Sequence, residues 1–124
     1  MTAFDIYKAS SAYLSQTAEE SDDLEPFVLP WLNVLLEECL PMENALRAFE
    51  GEAPLTAAPV LSQLTDTVPY RAALTKTALP YGLASDFFRD DDNDYRAADF
   101  RAKYVNAVNR ALCAEAENIT DSYA

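Results

Sequence analysis

The strongest constraint on this chain is a run of apolar residues spaced for one side of an α-helix. Val28, Leu32, Leu35, Cys39, Met42, Leu46 and Phe49 follow one another at steps of four and three, which returns each side chain to the same helix face. Ser21 or Asp22 can cap the start of this helix, and Pro26 fits its first turn, where a missing N–H costs nothing. Pro30 is tolerated if the helix begins near residue 27. Pro41 lies inside the pattern and removes the bond to the Glu37 carbonyl, so a kink or a split is expected there. Gly51 supplies the stop. Trp31 and Leu36 fall off the stripe, so this helix packs on two sides, in a bundle or against another subunit.

The rest of the chain has the same character. Thr2-Ala-Phe-Asp5 is a capping-type pattern opening a short helix that ends near residue 15. Residues 16–23 are polar and read as a loop. Residues 51–66 contain Gly51, Pro54 and Pro59 and form a long connection, with a turn of helix around Val60–Leu64. Asp66 or Thr67 can cap a third helix with Pro69 in its first turn and the stripe Tyr70, Leu74, Ala78 or Thr77, and Tyr81. Pro80 predicts a kink there, and the Pro-Tyr-Gly at 80–82 is a local conflict that marks close packing or a functional surface. After the acidic break Arg89–Asp94, Asp94 is the natural N-cap of a fourth helix over about 95–115. Ala98, Ala102, Val105, Val108 and Leu112 lie on one side of it, with Phe100, Tyr104, Ala107 and Ala111 beside them. Its bases Arg96, Arg101, Lys103 and Arg110 fall on the outer face, and the tail after about residue 118 is expected to fray. Strand-type alternation is absent. The expectation is therefore an all-α single domain over residues 1–124, four to five helices in an irregular bundle kinked at Pro41 and Pro80, with about 60% helix against a usual third.

Charge and residue types narrow the function. The 124 residues carry a net charge of −12. Residues 1–66 hold twelve acids against Lys8 and Arg47, a net of −10, and residues 67–124 hold nine acids against seven bases, a net of −2. Such a chain is poorly suited to gripping phosphate backbones. It has no histidine, which removes the commonest general base and transition-metal ligand, and no Gly-rich loop to cradle phosphate. No catalytic or cofactor-binding constellation is visible.

Asp90-x-Asp92-x-Asp94 copies the first three ligand positions of a calcium loop. Tyr95 stands where the turn glycine is needed and Arg101 where a bidentate Glu is needed, so the motif reads as a solvated turn, not a metal site. Glu37, Glu38 and Glu43 could pair as carboxylates, but the spacing puts them on the polar face of their helix. Tyr95, Phe100 and Tyr104 match core spacing better than a base-stacking groove. Cys39 and Cys113 both lie in apolar helical stretches and are expected to be buried free thiols in a reducing compartment. No leader peptide or transmembrane span is apparent.

Three segments together resemble a known group. They are PFVLPWLNVLLEECLPMENALR (Pro26–Arg47), LTDTVPYRAAL (Leu64–Leu74) and LPYGLASDFFRDDDNDYRAADFRAKYVNAV (Leu79–Val108). They resemble small all-helical structural proteins of tailed phages and prophages of Gram-positive gut bacteria, nearest to the head–tail connector or head-completion proteins. There an apolar helix leads through an acidic turn into a Phe-x-x-Lys-Tyr helix, here Phe100, Lys103 and Tyr104. The resemblance implies a non-enzymatic ring subunit that docks below the portal, in the virion or the host cytoplasm. Its partners would be itself and the portal or other head–tail proteins, with no cofactor, no membrane and no sequence-specific nucleic-acid binding. Arg96, Arg101 and Lys103 are the candidate subunit contacts, meeting the acidic first half of a neighbour. A cytoplasmic acidic module that neutralises a basic protein partner is the alternative.

Overall fold

A computed structural model describes residues 1–17 and 19–123, with side chains up to Ala114. Four α-helices, α1 (Ala3–Tyr13), α2 (Glu25–Phe49), α3 (Leu79–Asp90) and α4 (Asp94–Tyr123), form one all-α domain. About 70% of the chain is helical. A 3₁₀ turn (Asp22–Leu24) leads into α2 and a π-helical turn (Leu74–Ala78) into α3. No strand occurs among the described residues, only an isolated bridge between Thr2 and Thr67.

Helix α1 starts where its capping box predicts. The Thr2 hydroxyl accepts from the Asp5 N–H and the Asp5 carboxylate accepts from the Thr2 N–H, which holds the Asp5 carboxyl below its usual range. The next two free N–H groups, of Ala3 and Phe4, donate to the carbonyls of Asp66 and Leu64 at 3.0 and 2.9 Å. The loop before the π turn thus closes the helix end that α1 cannot satisfy itself. Ala3, Ile6, Tyr7, Ser10 and Ser11 form the buried side.

Helix α2 runs unbroken through Pro30 and Pro41, whose side chains are exposed. It buries Val28, Leu32, Leu35, Cys39 and Leu46 from the expected stripe, and Leu36 on a second side. Met42 is half-buried and Phe49 exposed. Ser21 is not the expected cap. It makes no side-chain cap bond and instead lies buried, accepting the Tyr7 hydroxyl at its carbonyl (2.9 Å) and sharing a hydrogen bond with Ser11. At the other end Gly51 takes φ +75°. The Glu52 N–H reaches the Arg47 carbonyl and the Gly51 N–H that of Ala48, a Schellman stop that favours glycine.

The connection after Gly51 makes no helix around Val60–Leu64. Two asparagines on α2 hold it extended. Asn33 both donates to and accepts from the backbone of Leu61 (3.1 and 2.8 Å), and Asn44 does the same for Leu55 (3.1 and 2.8 Å). Eleven residues is about three helical turns, so both amides face one way. Helix does not begin at Asp66 or Thr67 either. Asp66 caps the Ser62 and Gln63 N–H groups, and winding starts at Ala72.

Helix α3 is central. Leu79, Pro80, Gly82, Leu83, Ala84, Ser85, Phe87 and Phe88 are all buried, the pattern of a helix enclosed on all sides. Its winding changes from π to α at Leu79, whose N–H reaches back to the Leu74 carbonyl. Gly82 explains the Pro-Tyr-Gly conflict. A Cβ there would meet Leu35 of α2 and Tyr104 of α4, each at 3.0 Å, so the glycine sits where three helices close on one another.

The acidic break is a stop and restart. Asp92 adopts φ +56°, and the Asn93 and Asp92 N–H groups close on the carbonyls of Phe88 and Arg89. Asn93, not Asp94, caps α4, accepting the Arg96 N–H at 3.2 Å. Asp94 falls in the first turn. Helix α4 folds back along α3, with the Ser85 hydroxyl donating to the Ala97 carbonyl at 2.7 Å. Its buried side is Ala97, Phe100, Tyr104, Val108 and Ala111, while Ala98, Ala102 and Val105 are exposed, so the second stripe faces the core together with Val108 and the half-buried Leu112 of the first. It extends beyond the expected end near 115. The expected fraying after about 118 concerns a tail outside the described side chains.

Candidate functional site

A concavity of about 680 Å³ lies between α2, the end of α3 and the start of α4. Trp31, Val34 and Glu38 project from successive turns of α2 to form one wall, and Ala98 and Arg101 of α4 form the other, with Asp86 and Arg89 of α3 at the floor and rim. Val34 is 59% exposed. Trp31 is held from behind, stacked on Phe27 at 5.3 Å and tilted against Phe87 at 5.9 Å. The groove thus has a rigid aromatic side, an open apolar rim and a set of charges.

Those charges are arranged unequally. Arg101 makes a bidentate pair with Glu38, 3.1 and 2.7 Å, a fork-to-carboxylate geometry that fixes the α2–α4 distance. Asp86 pairs with Arg89 on its own helix. Burial raises the Asp86 carboxyl to about 6, against the pull of Arg89 and Arg101. Asp94 at the groove mouth has no ion-pair partner among the described residues. Below the groove, Cys39 and Tyr104 share a 3.1 Å hydrogen bond, and burial raises both groups. Cys113 is exposed, contrary to the expectation that both thiols are buried, because at 100° per residue it falls on the side of α4 opposite Tyr104 and Ala111.

The three bases expected to form one contact do not share a face. Arg96 and Lys103 are seven residues apart and lie over the rings of Phe88 and Phe100. Lys103 also pairs with Asp99 at 3.1 Å. Arg110, seven residues further, continues this line. Arg101 lies about 140° around the helix, at 100° per residue, and faces α2 across the groove.

Glu43 is the charged residue that sequence spacing misplaced. It is fully buried, not on the polar face. Its carboxylate accepts from Arg47 Nε at 2.6 Å and from the Arg71 backbone N–H at 2.6 Å. Arg71 also pairs with Glu50 and Glu52 at 2.8 and 2.6 Å. Glu43 stands four residues after Cys39 and three before Leu46, on the core stripe itself, with Arg47 one turn on. That placement was the available signal. Its role is to join the end of α2 to the residue before the π turn.

Among the described residues no group of three or more acidic or thiol side chains is arranged to hold a metal ion, and no helix is long and apolar enough to cross a membrane. No protein-family model matches the chain, and no curated protein or solved structure is detectably similar to it.

Proposed function

We propose that this chain is a non-enzymatic virion-assembly protein of a phage or prophage, a head–tail connector-like ring subunit that docks below the portal. The resemblance of its three segments supplies the biological setting. The observation that carries the mechanical reading is a pair of unlike surfaces on opposite flanks of α4: the open groove shared with α2, and the line Arg96, Lys103 and Arg110. Rings need two different patches on each subunit that complement one another. An acidic chain lining a DNA exit channel would repel the phosphate backbone and let it slide.

A second reading is favoured by one feature, the net −10 of residues 1–66. It makes the protein an acidic module that masks a basic partner as a monomer or dimer. Stoichiometry separates the two. Mass by light scattering across a concentration series, with and without purified portal from the same locus, is expected to give a ring-sized species, alone or templated by the portal. A concentration-independent monomer that ignores the portal would refute the connector reading and favour the module.

A further inference from the structure

Each flank of α4 lacks what the other carries. In the groove, the Asp86 side chain is only 11% exposed. The charged groups facing it are Arg89 from its own helix, Arg101 from α4 and Glu38 from α2. Arg101 is committed to Glu38 by two hydrogen bonds, and Arg89, which pairs with Asp86, is itself 69% exposed. Asp86 is therefore offset mainly by one largely solvent-exposed arginine, and burial outweighs both Arg89 and Arg101; Asp94, which also lines the groove, has no ion-pair partner among the described residues. On the far flank, Arg96, Lys103 and Arg110 recur every seven residues, about 10 Å apart along the helix. Arg96 and Arg110 have no carboxylate partner among the described residues. Carboxylates short of cations and cations short of carboxylates stand on opposite sides of one helix, where they cannot meet within a single chain.

We infer that the basic flank of α4 in one copy seats in the α2–α4 groove of the next copy. This rests on the ring-subunit reading and names its interface. Val34 and Trp31 supply the apolar area that ion pairs alone do not provide. Because groove and flank are different surfaces, the contact is head-to-tail and repeats around a ring.

The test uses sedimentation velocity on the full chain at rising concentration. Val34→Asn removes the groove's apolar rim without touching an internal ion pair or adding a charge of either sign. Arg96→Glu with Arg110→Glu spoils the flank without touching the Lys103–Asp99 pair. Each is expected to weaken self-association at least tenfold with unchanged helical circular dichroism. Mixed together, the two proteins are expected to form heterodimers and nothing larger, since one keeps a working flank and the other a working groove. Asp86→Asn is expected to weaken association while raising fold stability, a divergence that a merely structural role would not produce. If wild type associates and both surface variants associate equally well, the groove–flank contact is wrong and the ring reading stands. If wild type stays monomeric at every concentration, with and without portal, both fall.

Discussion

At the scale of single residues, Glu43, fully buried, and Asp86, with its side chain 11% exposed, act in opposite ways. Glu43 is satisfied on several sides and holds the fold together. Asp86 has only the mostly exposed Arg89 as its ion-pair partner, and burial outweighs that pairing, so it weakens the fold at neutral pH. Its folded carboxyl titrates at about 6 against an ordinary value of 3.8, so between those values the folded chain binds more protons than the unfolded one. Stability from this group therefore rises as pH falls from about 6 to about 4 and is lost again as pH rises. Asp86→Asn is expected to stabilise the protein at pH 7 by at most about 3 kcal/mol and to flatten the pH dependence of urea midpoints across that window. Arg89, mostly in water, loses little when its partner is neutralised. Around Glu43 the distances rank the partners. Arg47 Nε lies at 2.6 Å and Arg71 Nη1 at 3.8 Å, and Arg47 also holds the Pro69 carbonyl at 3.1 Å. Arg47→Ala strands a buried charge and is expected to cost about 3 kcal/mol. Arg71→Ala loses mainly half-exposed pairs, keeps its backbone N–H on Glu43, and is expected to cost about 1 kcal/mol. Equal losses in chemical denaturation would contradict this ranking.

At the scale of elements, periodicity read the helices well and their interruptions less well. Pro41 predicts a kink or a split, and of the two the split does not occur: α2 continues through it. An interior proline costs about 3 kcal/mol, whereas each fully buried Leu contributes about 1.5–3 kcal/mol, and Leu32, Leu35, Leu36 and Leu46 are buried along the same helix. Helix α4 offered two apolar stripes of equal period. The one with Phe100 and Tyr104 won because aromatic rings bury the larger area. The connection 51–71 was the least legible part, since its order comes from Asn33 and Asn44, which belong to α2 and carry no loop signature. Each amide replaces the strand partner that Leu61 and Leu55 lack. Asn33→Ala is expected to leave the Leu61 N–H and carbonyl without their partners and to cost about 1–3 kcal/mol. Native-state hydrogen exchange is the sharper readout. The Leu61 amide should lose protection while amides in the centre of α3 keep theirs; unchanged protection at Leu61 would mean that the loop is ordered by other contacts.

At the scale of the whole molecule, the uneven charge of the two halves is partly resolved inside the fold. Arg71 and Arg101, from the less acidic half, pair with Glu43, Glu50, Glu52 and Glu38 of the acidic half. Charge counts alone carry no distances and so do not show this internal pairing; what remains for a partner is the line on α4 and the carboxylates of the groove. The same interlocking bears on cooperativity. The main core draws on α1, α2, α3 and α4 together, and a smaller cluster of Ala84, Phe88, Ala97 and Phe100 closes the far end of the α3–α4 pair. Leu14 and Tyr81 pack against both clusters, so neither end can open without exposing residues that the other uses. One all-or-none transition is therefore expected. Trp31, the single tryptophan, reports from the groove through its contact with Phe87 of the main core, and far-ultraviolet circular dichroism reports all four helices. The two probes are expected to give coincident urea midpoints and slopes. A tryptophan change ahead of the loss of helical signal would mean that the α3–α4 end opens first, dismantling the groove while the rest of the fold persists, so that the two surfaces of α4 are not rigidly opposed.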